Sequence, residues 1–60
     1  MTSTEFGKLA VDKLFVDECN HMWRKTSDTS AVRVIMSRYG IVENVDAGAF
    51  DGEDRVYAIT

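Results

Sequence analysis

Few side chains in this chain are equipped for chemistry. They are Cys19, His21, a basic set from Arg24 to Arg38, and the acids Asp46, Asp51, Glu53 and Asp54. Cys19 and His21 stand two residues apart, which on a helix turns them about 200° from each other, so the spacing offers no thiol–imidazole pair. Cys19 reads as a small packed hydrophobe and His21 as solvated or as a helix-end cation. Asp51-Gly52-Glu53-Asp54 lacks the alternating oxygen ligands of a Ca²⁺ loop, and no further ligands are spaced around His21. Neither a metal nor another cofactor is expected. Sixty residues also leave little room for a substrate pocket of roughly 300–1,000 Å³. These residues support binding, not catalysis.

Charge is the more informative feature. The net charge is −3, but residues 1–40 carry +1 and residues 41–60 carry −4. An acidic C-terminal segment bearing Asp46, Asp51, Glu53 and Asp54 suits a basic surface on a protein or nucleoprotein partner, or imitates phosphates. Small host-directed inhibitors of phage type share this size and charge. With 45% hydrophobic and 28% charged residues the chain has the makeup of a folded domain and not of a disordered one. No apolar run approaches the roughly 20 residues that span a membrane. The first residues lack the basic region and apolar core of a secretory leader. Cys19 is the single cysteine, so no intrachain disulfide can form, and a free thiol fits a reducing compartment, the cytoplasm. One small domain over residues 1–60 has marginal stability, and association is the natural support.

The elements that would position these groups begin with a long helix. Thr2 as N-cap puts Glu5 in a capping box, and Met1 and Phe6 stand where a hydrophobic staple would. From there to about Lys25 the apolar residues fall on three lines: Leu9, Val16 and Trp23; Val11, Phe15, Cys19 and Met22; Phe6, Ala10 and Leu14. Together these cover over half the circumference, more than a small protein can bury. The line Leu9, Val16, Trp23 is therefore a candidate surface for a partner, or for a homodimer through this first helix.

Thr26-Ser27-Asp28-Thr29-Ser30 is a cluster of cap formers, from which the spacing predicts a second helix, Thr29 to Tyr39, stopped by Gly40. Its apolar face holds Ala31, Val32, Ile35, Met36 and Tyr39. The last twenty residues read as two strands, Ile41–Val45 and Arg55–Thr60, joined through a type I′ turn at Asp51-Gly52. A bulge at Gly48 suits the small residues around it. The expected fold class is α+β: long helix, short helix, C-terminal antiparallel hairpin.

Gly40-Ile41-Val42-Glu43 after a helix, followed by a strand Arg55-Val56-Tyr57-Ala58-Ile59-Thr60, resembles the C-terminal half of winged-helix domains. That resemblance implies a recognition helix and a wing, with Arg33, Ser37 and Arg38, beside Ser30, facing DNA. Arg24 and Lys25, with His21, would add phosphate contacts. Two functional expectations follow. The leading one is a small cytoplasmic binding protein, an inhibitor or regulator that occupies a macromolecular partner. The alternative is a winged-helix-like DNA-binding regulator.

Overall fold

Six antiparallel strands, and no long helix, make up the computed structural model, which describes residues 2–59 together with their side chains except at residues 36 and 41–45. The strands are β1 (Thr2–Glu5), β2 (Leu14–Val16), β3 (Met22–Ser27), β4 (Ser30–Ser37), β5 (Gly40–Ala49) and β6 (Arg55–Ala58). They form one sheet in the order β1-β6-β2-β3-β4-β5, so a four-strand meander is completed when β6 returns between β1 and β2. A single 3-10 turn, Phe6–Lys8, follows β1.

The α+β expectation is thus overturned, and with it the winged-helix resemblance: no recognition helix exists among the described residues. The reason lies in the turns. Asp12 and Asn20 adopt φ of 75° and 66°, a region that Asp and Asn enter more readily than most residues. They break the supposed first helix into β1, β2 and β3. Met1 of the expected staple and Thr60 of the expected last strand lie outside the described residues, as do the side chains of Met36 and of Ile41 to Val45.

The supposed second helix is strand β4. Its stretch Ala31-Val32-Arg33-Val34-Ile35 is rich in β-branched residues, which fit a pleated surface better than a helix. The cap cluster before it makes a β-turn instead, with Ser27 opposite Ser30 and their hydroxyls 2.6 Å apart. Ser, Thr and Asp serve caps and turns by the same side-chain bonding. Gly40, expected to stop a helix, has φ of 118° and closes the β4–β5 hairpin. Nor do the C-terminal strands pair with each other. β5 pairs with β4, while β6 pairs with β1 and β2. Asp51 to Asp54 forms a local turn, with the Asp54 N–H donating to the Asp51 carbonyl at 3.0 Å. The irregularity in β5 falls opposite Arg33, between the partners of Val32 and Val34, and not at Gly48.

The sheet rolls on itself around an aromatic cluster. Phe6, just beyond β1, stacks on Phe50, just beyond β5, at 4.8 Å between ring centroids, so the two ends of the strand order meet. Phe15 and Trp23, opposite each other in register, set their rings edge-on to Phe50 at 5.3 and 5.2 Å. Such pairs add about 0.5–1.5 kcal/mol each beyond the area they bury. Ala31 and Val56 complete the buried centre. Gly48 makes room for the indole: a Cβ there would stand 2.8 Å from a ring carbon of Trp23.

One charged side chain lies inside. Lys25 is 1% exposed, and its ammonium donates to the carbonyls of Phe6 (2.8 Å) and Leu9 (2.7 Å) while standing 4.5 Å from the Phe6 ring centroid. Its backbone bonds Asp12 and Lys13. The one residue therefore fastens segment 6–13 to β3. An unpaired buried polar group costs about 1–3 kcal/mol. Lys25→Met, which keeps the stem but strands both carbonyls, is expected to lower stability by about 1–3 kcal/mol in urea unfolding; an unchanged midpoint would show the tether dispensable. Gly48→Ala overpacks the indole and is expected to cost about 1–3 kcal/mol with altered Trp23 fluorescence, whereas an unshifted spectrum and midpoint would contradict the close approach.

Candidate binding site

The acids expected to steer a partner do not stand alone. Asp54, in the turn before β6, meets Asp17 and Glu18 from the β2–β3 turn around an open depression of about 250 Å³. Phe50 supplies its aromatic wall, and Cys19 and Arg55 complete it. Asp51 and Glu53 are exposed beside Asp54 in sequence, and Asp46 is exposed on β5. The volume is below the usual range for a small-molecule site but suits one or two side chains of a partner.

Local bonding explains why the β2–β3 turn holds its shape. One Asp17 carboxylate oxygen accepts the N–H groups of Cys19 (2.9 Å) and His21 (2.8 Å), and the other accepts the Trp23 indole N–H at 3.0 Å. His21 Nδ1 stands 3.8 Å from that second oxygen. Asp17 so joins the depression to the aromatic cluster through Trp23. Burial alone would raise its carboxyl pKa, but the His21 N–H, the indole and the Cys19 N–H outweigh that and hold it below the ordinary 3.8. On the far side, the Asp54 carboxylate accepts the Asp51 N–H at 2.9 Å, and Arg55 donates to the Ser3 hydroxyl at 3.1 Å. Glu18 makes no hydrogen bond or ion pair to another described residue, which leaves its carboxylate available.

The other expected site residues are dispersed. Val16 is 8% exposed, while Leu9 and Trp23 pack on the core, so these three form no exposed apolar line, and the helix meant to pair two copies is absent. Of the expected nucleic-acid residues, Lys25 is buried, and Arg24 is bound to Asp12 at 2.7 Å. Arg33 lies half-buried with its guanidinium 5.4 Å from the Trp23 ring centroid. The Ser37 hydroxyl serves the hairpin by donating to the Gly40 carbonyl. Of the five, Ser37 and Arg38 are exposed. Asp17, Glu18 and Phe50 are functional candidates that periodicity missed. The signal that marks Asp17 and Glu18 is Asp17-Glu18-Cys19-Asn20, a turn sequence of Asx type; no local signal marks Phe50.

Among the described residues no three His, Cys, Asp or Glu side chains gather to hold a metal ion, and no helix is long and apolar enough to cross a membrane. The chain matches no protein-family model, no curated protein and no solved structure.

Because Asp17 has a folded-state pKa below its unfolded value, its contribution is present above pH 3.8 and is lost as pH falls through the lowered value. Thermal unfolding followed downward from pH 5 is expected to show a steeper loss for the native chain than for Asp17→Asn. Parallel curves would remove Asp17 from its role in holding the turn.

Proposed function

We propose that this chain is a non-enzymatic binding module that receives a basic segment of a protein partner at its acidic depression, acting as a regulator or inhibitor by occupancy. The observation that carries this reading is the convergence of Asp17, Glu18 and Asp54 beside the Phe50 ring. A cationic side chain entering there gains carboxylate partners and an aromatic face at once. The excess of negative charge on the C-terminal third raises the encounter rate with a basic surface, and the aromatic wall supplies the contact that holds the complex. The free thiol of Cys19 favours a reducing compartment, and we place this activity in the cytoplasm.

Glu18→Lys tests the reading without disturbing a bond of the fold. In stopped-flow titration with an arginine-rich peptide carrying one tyrosine, association is expected to slow by about tenfold at low salt, with the difference shrinking as salt screens it. A rate constant indifferent to both Glu18→Lys and salt would remove the depression as the receiving surface.

A further inference from the structure

The last register pair between β3 and β4 is Trp23 with Arg33; beyond it, Val34 to Ser37 pair with β5 alone. Beyond the buried Val34 the β4–β5 hairpin therefore runs on as a two-stranded arm. A lone two-stranded ribbon is marginal in water unless another surface covers it. Its turn is nevertheless well formed: the Ser37 hydroxyl donates to the Gly40 carbonyl and accepts the Tyr39 N–H. At the tip, Tyr39 is 91% exposed beside the exposed Arg38, and Ile35 on the arm is 46% exposed. An aromatic ring this open, next to a guanidinium on a shaped turn, has the anatomy of an interface anchor.

The same molecule carries the complement. Its depression offers the unengaged Glu18 carboxylate, the Asp54 carboxylate and the Phe50 ring. We infer that the arm docks on a second copy of this chain, with Tyr39 set against Phe50 and Arg38 against Glu18 and Asp54 of that copy. Exchange of arms in both directions makes the contact self-complementary and closes a two-fold dimer, leaving no free tip or free depression to propagate a chain. This inference rests on the reading of the depression as a receptor for a cationic segment, and adds a consequence: the dimer withholds the depression from any other partner until a tighter basic segment displaces the arm.

Sedimentation equilibrium from micromolar to millimolar concentration tests it. The native chain is expected to show a monomer–dimer equilibrium. The double variant Arg38→Glu with Tyr39→Ser, altered only on the exposed tip, is expected to dimerise at least tenfold more weakly, as is Glu18→Lys. Combining Arg38→Glu with Glu18→Lys in one chain reverses both charges and is expected to restore dimerisation, a rescue that no merely structural role would produce. A native monomer throughout, growth beyond dimers, or a dimer unaffected by the tip variant would overturn the inference. Binding of the arginine-rich peptide to the tip variant separates the two claims. If the native chain does not dimerise but the tip variant takes the peptide, the arm inference fails and the receptor reading stands; if it takes none, both fail.

Discussion

The buried ammonium of Lys25 ties the segment after β1 to β3, beside the N–H groups of Phe6 and Gly7 that bond the carbonyls of Asp54 and Gly52. Lys25 reaches from β3 into the aromatic centre and binds two carbonyls that belong to the segment after β1. Segment 6–13 contains a 3-10 turn and a short turn in which the Lys13 N–H donates to the Ala10 carbonyl, so most of its backbone groups need partners from elsewhere. Lys25 supplies them from both its side chain and its main chain, and its stem packs as a hydrophobe would. A buried cation is costly unless well bonded, and here carbonyl dipoles and the Phe6 ring take the place of a carboxylate. The consequence extends to the core: Phe6 is anchored where it can stack on Phe50, and that stacking is what brings the two ends of the sheet together.

Phe50 links the fold to the surface. It touches Phe6, Phe15 and Trp23 on one side and lines the acidic depression on the other. Its N–H donates to the Thr29 carbonyl, which pins the end of β5 to the β3–β4 turn. Trp23 makes a second link through its indole bond to Asp17. The depression is thus built on residues locked by packing, the condition under which a binding surface keeps its shape between encounters. In a chain of sixty residues with a single cysteine, core and depression share the Phe50 ring, so neither can change without the other.

Charge is distributed in keeping with that economy. Arg24 and Lys8 are matched by Asp12 and Glu5, at the surface where such pairs contribute little to stability. Asp17 and Asp54 at the depression are instead engaged by backbone N–H groups and, for Asp17, an indole, which orient them without neutralising them, while Glu18 makes no such bond. Negative charge so persists where a cationic group would arrive. The exposed guanidinium and phenol of the β4–β5 arm carry the complementary chemistry.

The sequence alone determined where the chain breaks and how the charge is spread. Ser27 to Ser30, Gly40 and Asp51 to Asp54 mark boundaries because their side chains, or the lack of one, satisfy local backbone needs, but the same signals suit helix caps and strand turns, and here they make strand turns. The strand Arg55–Ala58 is legible from its alternation. The acidity of the last third is plain from composition. Tertiary structure decided the rest. The seven-residue spacing of Leu9, Val16 and Trp23 imitates a helix, yet those residues come from a loop and two strands, because Asp12 and Asn20 interrupt the run and long-range pairing rewards extended backbone. Strand pairing is non-local, so no periodicity reveals that β6 lies between β1 and β2. That placement, together with the indole bond to Asp17, is what sets Asp17, Glu18 and Asp54 around one depression though more than thirty residues separate them in the chain.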